Sequence, residues 1–351
     1  MSENRPVLVT GGAGYIGSHA SLALLDAGIP VVVLDNLCTG DRRAVPDGAT
    51  FIQGSTGDAG LVGDVLRFFQ IDAVLHFAGS LVVSDSVANP LGYWRNNVCN
   101  TLSLADSCVR AGVERMVFSS TAAVYGPSDA AMVGEDAPTA PITPYGSSKL
   151  SAERMLAEAG AAHGLRVAAL RYFNVAGADG AGRTGQYTAG ATHLIKVACE
   201  VATGQRDALD VFGEDYGTPD GTCVRDFIHV SDLAEAHVLA LRYLRRGGEA
   251  TTLNCGYGTG HSVRAVVRAV ERETGRPLPL RRAERRPGDI PALVARADRI
   301  RQTLGWQPRH QGLDRIVGSS LAWERRMLSD RRPDEDRKPR PATSARPMLT
   351  H

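Results

Sequence analysis

No stretch of the 351-residue chain approaches the ~18 consecutive apolar residues that a membrane span needs, and the opening MSENRP lacks the apolar segment of a secretory signal. A cytoplasmic protein with no membrane partner is therefore expected. Charge of one sign is also missing: 39 lysines and arginines face 38 acidic residues, for a formal net charge of +1. No whole-protein field draws in nucleic acid or an anionic membrane, so any anion must be held by a local site. The six cysteines, Cys38, Cys99, Cys108, Cys199, Cys223 and Cys255, show no CxxC spacing. That argues against a zinc site or a disulfide framework, and the thiols are expected to be reduced and mostly buried. Apolar residues almost vanish in DRRPDEDRKPRPATSARPMLTH at the end, so 330–351 is expected to be a disordered tail.

What is present suits a globular α/β enzyme, and the length exceeds one comfortable core, so a large domain plus a smaller one is expected. The first half alternates β-branched runs at 7–10, 31–34, 73–77 and 116–119 with helical patterns ending at 27 and covering 63–69 and 97–111. Such alternation predicts a Rossmann-type doubly wound parallel sheet. A further strand at 166–172 precedes a Gly- and Ala-rich loop at 176–190. Further elements follow at 191–202, 232–244, 262–273 and 312–327, separated by Gly and Pro. The expected division is a dinucleotide-binding domain at 1–175 and a smaller α/β substrate domain at 176–329, interleaved with the first.

The segment VLVTGGAGYIG places Gly11, Gly14 and Gly17 directly after an apolar strand and before an apolar helix. Gly11 permits the tight turn, Gly14 lets backbone approach a pyrophosphate, and Gly17 permits close helix–strand packing. At the end of the second strand Asp35 is placed to accept bonds from both hydroxyls of an adenosine ribose. A 2′-phosphate would be repelled there, which favours NAD over NADP.

Further along, TPYGSSK, followed by an apolar helical pattern at 150–159, puts Tyr145 and Lys149 four residues apart, a spacing that on a helix shares a face. A nearby ammonium, with the positive charge of an oxidised nicotinamide, stabilises a tyrosinate and lowers a phenol pKa ordinarily near ~10. Tyr145 then serves as acid and base while a hydride moves, and Thr121, at the end of a strand, is expected to hydrogen-bond a substrate hydroxyl.

These residues and their order resemble the nucleotide-sugar 4-epimerases of the extended short-chain dehydrogenase/reductase family over roughly residues 6–327. The shared segments are TGGAGYIGSH, LDNLCTG, HFAG, NNV, FSSTAAVYG, PYGSSK, LRYFNVAGA, VFGEDYGTPDGTCVRDFIHVSDLA, LNCGYG and RRPGDIPA. The resemblance implies C4 epimerisation of a UDP-hexose through a 4-keto intermediate, with NAD kept bound. It makes Tyr145 the acid/base, and Lys149 the anchor of the nicotinamide ribose. Thr121 stands where many members have serine. It implies that Gly11, Gly14, Tyr15, Ile16, Gly17, Asp35, Asn36, Ser55, Thr56, Phe77, Ala78, Gly79 and Asn97 line NAD, with Tyr172 and Phe173 beside the nicotinamide. Asn174, His193, Arg225 and Arg286 are expected at the diphosphate, Phe212 at the uracil, Asp289 at a ribose hydroxyl and Leu293 at the sugar. Asp226 and His229 are expected to knit the fold rather than do chemistry.

Three positions depart from the commonest family pattern: Ser55 replaces an aspartate, Leu81 a lysine and His193 an asparagine. The alternatives are a 4-epimerase for UDP-N-acetylhexosamines, UDP-pentoses or UDP-uronates, a nucleotide-sugar 4,6-dehydratase, and a noncatalytic NAD sensor. Dehydration needs an acid/base pair where this chain has Ala122 and Ala123. Family members commonly form homodimers through the helices around 97–111 and 148–159, and the same is expected here.

Overall fold

The computed structural model describes residues 5–128, 130, 132–286 and 288–330. The expected tail at 330–351 lies, apart from Asp330, outside the described residues. At the centre is a seven-stranded parallel sheet of β1 (Val7–Thr10), β2 (Val31–Asp35), β3 (Thr50–Gln53), β4 (Ala73–His76), β5 (Arg115–Thr121), β6 (Arg166–Tyr172) and β10 (Thr251–Cys255). Its spatial order is 10-6-5-4-1-2-3. Alternate residues feed opposite faces. Val7, Val9, Val31, Val33, Leu75, Val117 and Leu170 pack with α1 (Tyr15–Asp26) and α8 (Val230–Arg245). Leu8, Val32, Leu34, Val74, Met116 and Phe118 pack with α2 (Ala59–Phe68), α5 (Asn100–Ala111) and α6 (Pro144–His163). Full burial of each such side chain contributes roughly 1.5–3 kcal/mol, which is why these strands are near-continuous apolar runs.

The two edges of the sheet escape the sequence reading. β3 is half exposed and short, so its pattern is weak. β10 comes from the second half of the chain and pairs with β6 from Thr251↔Ala168 to Cys255↔Tyr172. Two helices also begin differently from expectation. α5 is preceded by a π-helical turn at Arg95–Cys99, and α6 starts at Pro144 rather than near 150.

The remaining strands form two smaller sheets, packed with helices of the second half into a smaller layer. β9 (Val224–His229) pairs with β7 (Asn174–Ala176), β11 (Gly260–Ser262) and β13 (Ala292–Leu293), while β8 (Leu209–Phe212) pairs with β12 (Leu280–Ala283). Helices α7 (Leu194–Ala202), α9 (Val263–Thr274) and α11 (Leu313–Ser329) pack through Ile195, Val266, Val270, Ile316 and Leu321. Three shorter helices, α3 (Val83–Ala88), α4 (Pro90–Trp94) and α10 (Asp298–Leu304), complete the set. Asp226 acts as a knot: its carboxylate accepts backbone N–H bonds from Tyr257, Gly258 and Ala295 at 3.1, 2.8 and 3.2 Å. His229 accepts from Ser231 N at 3.1 Å and its other ring nitrogen lies 3.0 Å from the Ser319 hydroxyl. Of the cysteines, Cys108, Cys199, Cys223 and Cys255 are buried, and Cys38 and Cys99 are exposed.

Candidate active site

β1 ends at Thr10, and the chain turns at Gly11 with φ +70°. Side chains do not fit here. A Cβ on Gly11 would stand 2.6 Å from the Ala78 nitrogen, and one on Gly17 would stand 2.2 Å from the Gly11 carbonyl oxygen. Gly14 is looser, 3.1 Å from the same oxygen. Bare backbone therefore brings the start of α1, with Tyr15 and Ile16, flush against the strand ends, where the first helical amides can hold an anion.

Asp35 closes β2 beside this turn and is buried. Its two carboxylate oxygens accept from Ala13 N at 3.0 Å and Leu37 N at 2.8 Å, and each retains a lone pair for a ribose hydroxyl. Leu37 is held at φ +59°, a strained conformation for a branched side chain that the bond to Asp35 helps to fix. Asn36 is exposed and accepts from Cys38 N at 3.1 Å. Ser55 and the buried Thr56 follow β3, and Phe77, Ala78 and Gly79 follow β4, with Phe77 N bonded to Thr10 O at 3.0 Å. Asn97 sits in the π-helical turn and clamps the next residue, Ser80. It accepts from Ser80 N at 2.7 Å and donates to Ser80 O at 3.0 Å. Leu81, 47% exposed, offers no charge at this rim. The glycine cradle and the carboxylate beside it fit a dinucleotide with free ribose hydroxyls.

The start of α6 explains where the phenol goes. Thr143 caps the helix by accepting from Gly146 N at 3.2 Å, and Pro144 occupies its first position, so Tyr145 lies in the first turn. A Cβ on Gly146 would stand 2.5 Å from the Ala123 carbonyl oxygen. That close approach sets the turn against the end of β5, where the Thr121 hydroxyl hydrogen-bonds Tyr145. Burial pushes the Tyr145 phenol above its usual value, with the Thr121 bond acting the other way. One turn on, the Lys149 ammonium lies 4.4 Å from the centre of the Phe118 ring. Its burial lowers it to about 8, against the opposing pull of Glu153. Tyr93 meets Tyr145 edge-on with ring centres 6.4 Å apart, and the Tyr172 hydroxyl bonds Ser119.

A second cluster forms in the smaller layer. The Arg286 guanidinium lies 4.5 Å from the centre of the Phe212 ring, and its Nε is 3.3 Å from Asp289. Arg225 approaches the other Asp289 oxygen at 3.9 Å. Sequence positions scattered over β8, β9 and the segment before β13 thus meet: an aromatic face, two guanidinium forks and one carboxylate, a set suited to a nucleoside diphosphate. Leu293 is buried with Tyr125, Leu150 and Phe173, between this cluster and α6. His193 precedes α7, its Nδ1 3.0 Å from the Gln186 amide, and Asn174 opens β7. A surface groove of ≈ 510 Å³ lined by Arg268, Glu271 and Arg272 brings together none of these residues.

Sequence reasoning missed the supports beneath the site. Glu153, one turn beyond Lys149, is held bidentately by Arg171 at 2.6–3.2 Å and also accepts from the Ser120 hydroxyl. Arg171 donates to the Tyr125 hydroxyl at 3.1 Å, which donates to Asn254 at 2.6 Å. The spacing of Tyr145, Lys149 and Glu153 along one helix face was the available signal for the first of these.

Fold and site together define a dinucleotide-dependent enzyme of the Rossmann class, with a phenol and an ammonium on the first turns of α6. Residues 7–256 match the NAD dependent epimerase/dehydratase family, and the chain belongs to it. The UDP-glucose 4-epimerase of Azospirillum brasilense is 61% identical over 321 residues, 92% of each chain. Among solved structures, UDP-glucose 4-epimerase from Brucella ovis in complex with NAD superposes with a TM-score of 0.88 at 44% identity, covering 91% of this chain and 98% of that one. The enzyme from Stenotrophomonas maltophila, with bound NAD and formylated UDP-arabinopyranose, gives 0.89 at 41% identity over 93% and 99%.

Proposed function

We propose that this chain interconverts UDP-glucose and UDP-galactose as an NAD-dependent 4-epimerase, an isomerase working through a 4-keto sugar. The observation that carries the reading is the convergence of Thr121, Tyr145 and Lys149 beside the glycine turn. Gly11, Gly14, Tyr15, Ile16, Gly17, Asp35, Asn36, Ser55, Thr56 and Phe77 to Gly79 are assigned to holding NAD, with Asn97 shaping the Ser80 turn. Bound NAD supplies a reversible hydride acceptor and, when oxidised, a positive charge that favours tyrosinate.

Tyr145 takes the proton of the sugar C4 hydroxyl and later returns it. Thr121 hydrogen-bonds the same hydroxyl, and Lys149 keeps a cation near the phenol when it ionises. Inversion requires the keto sugar to present its other face while the diphosphate stays held. Arg225 and Arg286, with Asn174 and His193, serve that grip, Phe212 lies against the uracil, and Asp289 takes a ribose hydroxyl. Tyr172 and Phe173 border the nicotinamide, and Leu293 borders the sugar. Dehydration is disfavoured because Ala122 and Ala123 supply no carboxylates after Thr121.

Homodimerisation is proposed for the faces of α5 and α6. Exposure of Leu102 on α5, at 52%, and of Leu91 and Trp94 on α4, which packs against α6, at 74% and 38%, supports an apolar contact there. Among the described residues no helix is long and apolar enough to cross a membrane, and a cytoplasmic location is proposed with it. The division into a cofactor part at 1–175 and a substrate part at 176–329 is likewise proposed.

The test is incubation of purified protein with UDP-galactose, without added NAD, and chromatographic detection of UDP-glucose. Conversion that disappears in Tyr145→Phe is the expected result. Failure to convert even with NAD supplied would overturn the glucose/galactose reading. UDP-N-acetylhexosamines, UDP-pentoses and UDP-uronates would then be tried, and inertness toward all of them would point to an NAD sensor.

A further inference from the structure

A continuous line of buried hydrogen bonds runs through the core from the cofactor strand to the catalytic helix, and of its members only Asn97 has a part in the mechanism above. Thr10, the last residue of β1, has its hydroxyl 2.6 Å from Nδ1 of His76, the last residue of β4. The other ring nitrogen of His76 is 2.9 Å from the Thr101 hydroxyl in the first turn of α5. Thr101 donates its own proton to the Asn97 carbonyl at 2.8 Å, inside the π-helical turn. Asn97 in turn donates to the Ser148 hydroxyl at 3.0 Å, and Ser148 donates to the Tyr145 carbonyl at 2.8 Å. The five side chains are between 0 and 2% exposed, so water cannot replace any of these bonds.

Donor accounting fixes the direction of every link. Because the Thr101 proton goes to Asn97, its oxygen accepts, and His76 must carry its proton on Nε2. Nδ1 then accepts from Thr10. Burial together with the charge of Lys149 lowers the His76 pKa to about 3, so the ring stays neutral. The π-helical turn has a reason in this line. Widening at Arg95–Cys99 presents the Asn97 side chain to Ser80 and Ser148 while its carbonyl meets Thr101.

We propose that Thr10, His76, Thr101, Asn97 and Ser148 form a positioning relay that fixes the first turn of α6, and with it Tyr145, against the glycine-rich end of the cofactor strand. The inference rests on Tyr145 being the acid/base, as assigned above. Its chemical content is register: both ends of the line are rigid elements, each link has a single donor and acceptor arrangement, and a phenol displaced by ~1 Å loses on the order of 100-fold in rate.

Thr101→Val preserves shape but removes both the acceptor for His76 and the donor to Asn97, whereas Thr101→Ser keeps them. In NAD-loaded protein assayed with UDP-galactose, Thr101→Val is expected to lower kcat by roughly 10- to 100-fold, with KM changed less than about twofold. Thr101→Ser should recover most of the rate. Ser148→Ala cuts the line at its far end. Its effect should not multiply with that of Thr101→Val, because members of one network act together. The second readout needs no turnover. Amide hydrogen exchange of residues 145–149 should accelerate at least ~10-fold in Thr101→Val, while that of 167–170 in β6 stays within about twofold. An unchanged kcat, or exchange that rises equally in both segments, would overturn the relay. If the unaltered protein does not turn over UDP-galactose, the functional reading fails and the exchange comparison still decides the relay.

Discussion

Replacing Glu153 by glutamine removes the charge from one partner of a buried ion pair and leaves the other in place. Arg171 reaches Glu153 with Nε at 3.0 Å and with a terminal nitrogen at 2.6 Å, and the two side chains are 8% and 7% exposed. Glutamine keeps the shape yet offers one acceptor oxygen and no charge, so the guanidinium stays buried without neutralisation. Breaking a buried pair from one side costs about 3–5 kcal/mol. At about 2–4 °C per kcal/mol for domains of roughly 150–250 residues, melting should fall on the order of 10 °C. The double variant Glu153→Gln/Arg171→Met removes both charges and should recover most of the loss, because the desolvation penalty disappears along with the attraction. The assay is thermal unfolding followed by circular dichroism, on wild type, single and double variants carrying the same amount of bound cofactor. A loss below ~1 kcal/mol in the single variant, or a double variant less stable than the single, would refute the reasoning.

Tyr145→Phe should retain cofactor and fold but lose roughly 100- to 10,000-fold in kcat, measured as conversion of UDP-galactose, whereas Thr121→Ser should stay close to wild type. Gly17→Ala places a methyl carbon 2.2 Å from the Gly11 carbonyl oxygen, so protein purified with it should carry little NAD, read by absorbance after denaturation. Arg286→Ala removes the guanidinium from the Phe212 face and should raise KM for the UDP-sugar at least ~10-fold with kcat much less affected. Lys149 supplies a pH test. Its ammonium is lowered from 10.5 to about 8, so between those values the unfolded chain binds more protons than the native one. Stability of cofactor-stripped protein from this group therefore rises as pH goes from about 8 to 10.5, by about 3 kcal/mol in all, and the penalty is complete below 8. Lys149→Met should abolish that rise, and a pH-independent difference between the two proteins in urea unfolding would contradict the assignment.

Strand and helix periodicity, together with Gly11, Gly14, Gly17, Asp35 and the Tyr145/Lys149 pair, made the Rossmann-type sheet and its cofactor end legible in the sequence. Those features are local: a turn that excludes Cβ atoms, a strand that must be apolar on both faces, two residues one helical turn apart. The helix start at Pro144 was written in Thr143-Pro144 as well, although the apolar pattern pointed later. What tertiary structure alone decided is long-range. β10 joins the sheet beside β6, and the residues that the resemblance gathers at the nucleotide acquire their partners, Arg286 against Phe212 and Arg225 and Arg286 on the two oxygens of Asp289. Glu153 finds Arg171, and His76 finds both Thr10 and Thr101. Periodicity reports which face of an element is buried and says nothing about which partner it is buried against. Partner choice depends on register and packing between elements far apart in the chain, where a polar side chain is retained in the core only because a specific donor or acceptor arrives to satisfy it.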